Sequence, residues 1–305
     1  MKRYLLWSIS LLVLTLVLAA AVSGCALVKE NSTTTASGGT STTVTTSPGT
    51  DAASVANNAI QAVTKSASIT APQTLKAGVL QAGSDPAFAP MEFPADSKVK
   101  GGYTGFDVDL STAIAKKLGL TFELVSSTYD GLVSALLGDH FDMIMSAVRI
   151  TPALQQKITF GDPYLAGTLA ITTAVGAPIA DTAALAGKRV GVQVDTVGQS
   201  TVEGIAGVKQ IVDYNTILEA FQDLKNGKLD AVVNDLVVNA YILQNLTDFK
   251  GKLENSGAIT TQYGYGYGFK PQNGALVSAV NAALKELRTD GVYQKICAKW
   301  GITGN

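Results

Sequence analysis

Short β-type runs alternate with helical patterns through residues 74–303, and this alternation restricts the possible folds more than any other feature. The run at 75–82 predicts a strand. Residues 106–119 have apolar side chains at a helical spacing before a closing glycine, which predicts a helix. Further strands are predicted at 120–125, 141–147, 188–194, 209–214 and 229–235. Strands that alternate with helices predict an α/β fold with parallel sheets covered by helices.

The composition supports a sizeable core and argues against several functional classes. Of the 305 residues, 47% are hydrophobic and 15% are charged. The net charge of −1 predicts no basic face for nucleic acid. One histidine and two cysteines are too few for a structural zinc site, and they disfavour catalytic triads built on histidine. We therefore expect no metal, no cofactor and no catalytic residue, and we expect His140, in a predicted turn, to lie on the surface.

The first 24 residues have the pattern of a secretory signal peptide. Lys2 and Arg3 precede an apolar run at 11–22, and the segment ends in "VSGC". This ending resembles a bacterial lipobox, which implies that Cys25 becomes the lipidated first residue of the mature protein. The alternative is an uncleaved membrane anchor. Several acyl chains on one cysteine would hold the protein at a membrane surface.

Residues 25–73 are predicted to form a tether between the lipid and the folded part. The stretch 31–50 is almost entirely serine, threonine and glycine, which cannot bury enough apolar area to fold. Residues 51–69 could form a weak helix, to which the sequence assigns no role. The folded part is expected to begin near Thr74. Cys297, left without a partner in the mature chain, is expected to be a packed and inert thiol.

The strand and helix series divides into two lobes. We predict a discontinuous first lobe from residues 74–166 with a return at 263–305, and a second lobe at 167–262. The segment "YGYGYGF" has the alternation expected of a strand that crosses between the lobes. Ligands of open parallel sheets bind beyond the carboxyl ends of the strands, so the two facing lobes predict a binding cleft that closes about a hinge.

Seven stretches of the chain together resemble the extracellular solute-binding proteins of family 3, which deliver polar amino acids to ABC importers. They include "SDPAFAPMEF", "GYTGFDVDLSTAIAKKLG", "YDGLVSALLGDHFDMIMSAVRITP" and "FQDLKNGKLDAVVND", and they follow the order of the family from about 74 to 303. The resemblance implies the two-lobe periplasmic-binding-protein type 2 fold with two crossing hinge strands. It also implies a monomer that docks on a membrane permease outside the cytoplasm.

The resemblance assigns a pocket for the side chain of the ligand. Asp85 and Phe88 match the acid and the aromatic residue of the first loop, and Tyr129 matches the second wall of the pocket. Aromatic faces can hold an apolar or a cationic group between them. The alternative is that Phe88 and Tyr129 are ordinary core residues.

The resemblance also assigns the groups that hold the zwitterionic head of the ligand. Ala147 matches a residue whose main-chain carbonyl contacts the ammonium, and Asp235 matches the acid that pairs with it. Asp195, Thr196 and Val197 match the loop at a helix N-terminus that holds the carboxylate. For Asp235 the alternative is a helix N-cap, and both roles can coexist.

The chain departs from the family where the ligand carboxylate is normally gripped. Leu154 stands in the place of the family's arginine, while Arg149 appears five residues earlier. Asp195 replaces a glycine and opposes an anion at the helix end. Three interpretations remain open. Arg149 takes over the carboxylate fork, or it bridges to Asp235 or Asp195 and the ligand is not an α-amino acid, or it is a solvated surface charge.

The sequence favours a binding protein for ABC import of a small polar metabolite, an amino acid or a related carboxylate or amine. One alternative is an enzyme resembling cyclohexadienyl dehydratases, in which Arg149 would clamp a carboxylate and Asp85 or Asp195 would act as the acid. Another alternative is a ligand-sensing module for a separate receptor.

Overall fold

A computed structural model describes residues 50–95 and 102–302. The strands in this part of the chain are β1 (Val79–Ser84), β2 (Phe93–Pro94), β3 (Tyr103–Thr104), β4 (Thr121–Ser126), β5 (Met143–Ile144), β6 (Thr159–Phe160), β7 (Thr168–Ala174), β8 (Arg189–Gln193), β9 (Gln210–Tyr214), β10 (Ala231–Asp235), β11 (Leu253–Thr260) and β12 (Gly268–Phe269). The helices are α1 (Thr50–Ala62), α2 (Phe106–Leu118), α3 (Leu132–Leu137), α4 (Pro152–Gln155), α5 (Val197–Glu203), α6 (Ile217–Lys225), α7 (Leu236–Asn245), α8 (Gly274–Thr289) and α9 (Val292–Lys299).

Two five-stranded sheets define two lobes. The sheet of lobe 1 has the order β4-β1-β5-β12-β6, and the sheet of lobe 2 has the order β11-β7-β10-β8-β9. Lobe 1 takes its strands from both sides of lobe 2 in the sequence, because β12 returns to pair with β5. The predicted two-lobe α/β fold with a discontinuous first lobe is therefore confirmed.

Both sheets are mixed, whereas the alternation of strands and helices predicts parallel pairing and does not indicate the antiparallel strands. Strands β1, β4 and β5 are parallel in lobe 1, as are β8, β9 and β10 in lobe 2. The strands next to the crossing segments, β6, β7, β11 and β12, pair antiparallel with their neighbours. The physical reason is that one crossing segment leaves lobe 1 and the other returns to it, so that the strands they connect run in opposite directions.

The two crossing segments, at 161–167 and 261–267, lie side by side. The Tyr265 N–H donates to the carbonyl of Leu165, and the Tyr164 N–H donates to the carbonyl of Tyr265. The rings of Tyr265 and Tyr267 lie 6.1 and 4.8 Å from the ring of Tyr164. These contacts make the hinge a buried, aromatic two-strand ribbon.

Helix α2 illustrates how the predicted periodicity works. Phe106, Leu110, Ile114 and Leu118 are fully buried against the lobe 1 sheet. The helix ends at Gly119, which has φ +73° and donates to carbonyls of the last turn, the usual role of a glycine at a helix C-terminus. The predicted strand at 141–147 is shorter than expected, since only Met143–Ile144 pair as a strand.

The prediction that the folded part begins near Thr74 is wrong. Helix α1 packs against α9 and α2, and Ala56 and Ile60 are buried there. The hydroxyls of Ser66 and Ser68, farther along, donate to Glu286 of α8 at 2.7 Å. Residues 50–69 are thus part of lobe 1 rather than of the tether, because the helix presents a small apolar stripe that lobe 1 covers.

The predicted signal peptide at 1–24, the predicted lipidation site Cys25 and the predicted tether as far as residue 49 lie outside the described residues. None of the helices within 50–95 and 102–302 combines the length and the apolar character needed to cross a bilayer. In the described part, Cys297 is buried without a disulfide partner, and burial raises the pKa of its thiol to about 11. His140 is exposed, as predicted from its turn.

Candidate functional site

The predicted site residues follow the carboxyl ends of four parallel strands. Asp85 follows β1 and Arg149 lies five residues beyond β5 in lobe 1. Asp195 follows β8 and Asp235 ends β10 in lobe 2. Two side-chain contacts join the lobes at these strand ends, one between Arg149 and Asp235 and one between Asp85 and Gln193. The arrangement is the one expected of a cleft beyond the strand ends.

Arg149 is buried in the hinge, with 3% of its surface exposed. Its Nη2 forms an ion pair with Asp235 of lobe 2. Its Nη1 donates to the Thr261 hydroxyl at 3.1 Å and to the Tyr263 carbonyl at 2.6 Å. The guanidinium of lobe 1 is therefore bonded both to lobe 2 and to the second crossing segment.

Tyr265 completes the surroundings of this ion pair. Its ring centroid lies 4.3 Å from the Arg149 guanidinium carbon, and its hydroxyl donates to Asp235 Oδ1 at 2.7 Å. On the first crossing segment, Gly167 leaves room for the guanidinium, since a Cβ at this position would overlap it. The cation is thus enclosed by both crossing segments, an aromatic face and a carboxylate.

These contacts exclude one of the three interpretations of Arg149. The interpretation as a solvated surface charge is wrong, because the side chain is buried and its Nε has no contact with solvent. The structure instead has the cross-lobe pair with Asp235. Asp235 does not cap α7 with its side chain, because the carboxylate is directed to Arg149 and Tyr265.

Leu154 accounts for the absence of the usual carboxylate fork. It is half-buried and packs with Tyr129, Val125 and Phe160 around a small apolar cluster of lobe 1 that includes Leu132. Leucine therefore extends the core at the position for which the resemblance implies a cation.

Asp85 contacts lobe 2 through Gln193. The Gln193 amide donates to Asp85 Oδ2 at 3.4 Å and to the Asn215 carbonyl at 3.0 Å. Burial raises the pKa of Asp85 to about 6, opposed by hydrogen bonds from Gln193 and from the backbone of Tyr129. A carboxylate of this kind is poised to gain from a cationic partner.

Phe88 and Tyr129 are both half-buried, and the Tyr129 backbone donates a hydrogen bond to Asp85. Phe88 packs on the main core of lobe 1, and Tyr129 packs on the cluster that includes Leu132. Burial raises the pKa of the Tyr129 phenol above its ordinary value, and the charges acting on it include Arg149, Glu92, Asp195 and Asp85. Tyr129 therefore lies where the charged groups of both lobes converge.

The loop at the start of α5 has its own internal contacts. Asp195 is exposed and has φ +60°, a left-handed conformation that aspartate tolerates better than most residues. The Thr196 hydroxyl caps α5 by accepting from the Gln199 N–H at 3.2 Å and donates to the Gln193 carbonyl at 2.8 Å. The Val197 side chain is buried in the core of lobe 2. Among these three residues only Asp195 presents an exposed side chain.

Ala147 lies above a buried acidic pair that the sequence reasoning missed. It has φ +45°, and its N–H donates to Asp107 at 3.0 Å. Ser146 donates to Glu92 at 2.9 Å and accepts from the Asp85 N–H at 3.0 Å. Burial raises the pKa of Asp107 to about 6, and burial together with the Asp107 charge raises the pKa of Glu92 well above its ordinary range.

Four further residues of the site were missed in the sequence, namely Gln193, Thr261, Tyr265 and Gly167. A usable signal existed for Tyr265 alone. Tyrosines at alternate positions of "YGYGYG" point to the same side of a strand, so they predict a shared aromatic face. The described residues contain no group of three or more histidine, cysteine or acidic side chains that could hold a metal ion.

Comparisons with known proteins agree with this geometry. The model of the bacterial extracellular solute-binding proteins, family 3, matches residues 80–303. The lysine/arginine/ornithine-binding periplasmic protein of Escherichia coli (strain K12) is 32% identical over 230 residues, which cover 72% of this chain and 85% of that protein.

Solved structures give the same result. An ancestral arginine-binding protein bound to arginine has a TM-score of 0.68 at 33% identity and covers 73% of this chain and 98% of its own. The ancestral amino acid-binding protein AncCDT-1, a precursor of cyclohexadienyl dehydratase, has a TM-score of 0.65 at 30% identity, with 73% and 95% covered. The family match and the binding proteins among these relatives support a solute-binding role rather than an enzymatic one. With two lobes, two crossing segments and a family match over most of its length, the chain belongs to the bacterial extracellular solute-binding proteins, family 3.

Proposed function

We propose that this protein is the extracytoplasmic substrate-binding lipoprotein of an ABC importer. It captures one small polar metabolite, an amino acid or a related carboxylate or amine, between its lobes and delivers it to a membrane permease. It acts as a monomer held at the membrane through a lipid on Cys25.

The observation that carries the proposal is the pair of contacts across the cleft. Arg149 reaches Asp235, and Asp85 reaches Gln193, from opposite lobes joined by two crossing segments. Such an arrangement supports a cycle in which a ligand favours the closed state by contacting both lobes at once. The relatives that bind arginine, lysine or ornithine support a small, polar and nitrogen-rich ligand.

Ligand capture can be tested on the purified full chain. We expect mass spectrometry of the denatured protein to release one small polar compound, and we expect that compound to raise the melting temperature saturably. The full chain should be screened against amino acids, amines and carboxylates by thermal shift. If no compound raises the melting temperature and none is released, the proposed function is refuted.

Lipid attachment can be tested by metabolic labelling with a palmitate analogue in a bacterial host. The wild-type chain should carry the label and sediment with membranes, and Cys25→Ser should lose the label. Cys297→Ser is the matched control, because Cys297 is buried in α9 and should not affect labelling. A Cys25→Ser chain that keeps the label would exclude Cys25 as the lipid site.

A further inference from the structure

The guanidinium of Arg149 is already paired with other groups of the protein. Its guanidinium bonds to Asp235, Thr261 and the Tyr263 carbonyl, and the ring of Tyr265 covers one face. Its Nε is buried without a partner, and the Gly167 backbone lies against the group. A ligand carboxylate could reach this cation only by displacing Asp235, which would leave that carboxylate buried and unpaired.

The carboxylate of Asp235 is also already paired. It accepts from both Arg149 and the Tyr265 hydroxyl, and only 8% of its surface is exposed. The pair therefore fills, with two protein side chains, the place where a zwitterionic ligand head would need one free acid and one free cation.

The charges that remain in the cleft are acids. Asp85 is half-buried just after β1, where it accepts from the Gln193 amide at 3.4 Å, and Asp195 lies just after β8 in lobe 2. Asp195 is exposed at the start of α5, where it opposes an anion. Of the four charged side chains that the structure places at these strand ends, the two that remain after the Arg149–Asp235 pair, Asp85 and Asp195, are both acids.

This balance discriminates between ligand chemistries. A carboxylate enclosed here would lose its hydration and find no free cation, which is costly in a site shielded from water. A cationic nitrogen would instead donate a charge-assisted hydrogen bond to Asp85, and the aromatic rings of Phe88 and Tyr129 would favour its positive charge. The same residues thus penalise one group and favour the other.

We propose that the ligand is a small organic cation without an α-carboxylate, an amine or a guanidine whose charged nitrogen pairs with Asp85 between Phe88 and Tyr129. Arg149 is the specificity-determining residue, because its pair with Asp235 replaces the groups that would hold an α-amino-acid head. This inference rests on the proposed function and narrows its ligand class.

Three matched pairs of compounds test the inference, since their members differ only by one carboxylate. The pairs are agmatine and arginine, cadaverine and lysine, and putrescine and ornithine. Titration calorimetry on the full chain should show at least one amine binding more tightly than its amino acid, by about tenfold or more, since one buried unpaired charge costs well over the 1.4 kcal/mol that a tenfold change represents.

The outcomes are distinct. If an amino acid binds as tightly as its amine or more so, the inference is overturned and the proposed function stands. If only an anionic or neutral metabolite binds, the inference is likewise overturned and the proposed function stands. If no small molecule of any class binds, the proposed function falls and the inference falls with it.

A pair of variants links the result to the site. Asp85→Asn should weaken amine binding by at least about tenfold, because the amide keeps the shape of the side chain and removes its charge. Glu203→Gln is the control, since Glu203 is an exposed acid at the far end of α5, and this variant should bind as the wild type does. Both variants should first be shown to keep the wild-type melting temperature. Equal affinity of Asp85→Asn and wild type would overturn the assignment of Asp85.

Discussion

Replacing Asp235 by asparagine tests how the hinge is held together. Asp235 and Arg149 are 8% and 3% exposed, so the substitution leaves a guanidinium buried opposite a neutral amide. Removing one partner of a buried ion pair costs about 3–5 kcal/mol, because the remaining charge loses its compensation. The Tyr265 hydroxyl keeps an oxygen to donate to. We therefore expect Asp235→Asn to lower the free energy of unfolding by about 3–5 kcal/mol.

Equilibrium unfolding of the full chain in urea measures this change. Circular dichroism and fluorescence should be followed together, because coincident transitions justify a two-state free energy. The double variant Arg149→Met, Asp235→Asn removes both charges and should recover about 1–3 kcal/mol of the loss. The control Glu123→Gln breaks the exposed ion pair with Lys76 and should leave stability nearly unchanged.

Two results would refute this reasoning. One is an Asp235→Asn variant as stable as the Glu123→Gln control, which would mean that the Arg149 charge needs no buried partner. The other concerns the free energy of unfolding lost by the double variant. If it equals the sum of the losses measured for Arg149→Met and Asp235→Asn alone, the two side chains are not coupled.

Three further predictions concern titration and packing. Affinity for a cationic ligand should fall as pH drops below about 6, where Asp85 becomes protonated, and titration calorimetry across pH 5–8 should show it. The folded-state pKa of Asp107, about 6, lies above its ordinary value of 3.8, so folding takes up protons between these two pH values. The free energy of unfolding should therefore rise as pH falls from about 7 to 5, and Asp107→Asn should flatten this rise in urea titrations. Ile60→Ala in α1 should cost about 2 kcal/mol or more in urea unfolding, whereas Val55→Ala, at a half-exposed position, should cost little.

Most of the fold could be predicted because local patterns and burial agree. Helix α2 has the predicted apolar spacing and its closing glycine, and β8, β9 and β10 lie within one or two residues of their predicted bounds. The direction of the antiparallel strands was harder to predict from the sequence. Strand direction next to a hinge depends on which lobe the chain returns to, and no local pattern encodes it.

The N-terminal helix was underestimated for a physical reason. Its sequence, "TDAASVANNAIQA", is mostly small and polar, with few large apolar residues. Helices of this length are marginal in water by themselves, so α1 depends on the surface that α9 and α2 provide. Most of this surface is supplied by α9, more than 200 positions away, so it cannot be predicted from the sequence of α1 itself.

The site shows a similar limit. The sequence predicted that Arg149 needs a partner anion, because a lone buried guanidinium is costly. It left Asp195 and Asp235 equally possible. In the structure the partner is Asp235. Tyr265 and Gly167 lie close to the guanidinium, and both are on the crossing segments rather than near Arg149 in the sequence.

The position of residues 50–69 bears on how the lobes move. Lys299 donates to Asn57, Lys116 donates to the Gln61 carbonyl, and Ser66 donates to Glu286, so this segment is joined to α9, α2 and α8 of lobe 1. Under the proposed lipid attachment at Cys25, the membrane anchor would therefore act on lobe 1. Rotation about the crossing segments would then move lobe 2 relative to the membrane. Because Arg149 belongs to lobe 1 and is bonded to the crossing segments, it would remain with the anchored part, and the contact that opens would be the one with Asp235.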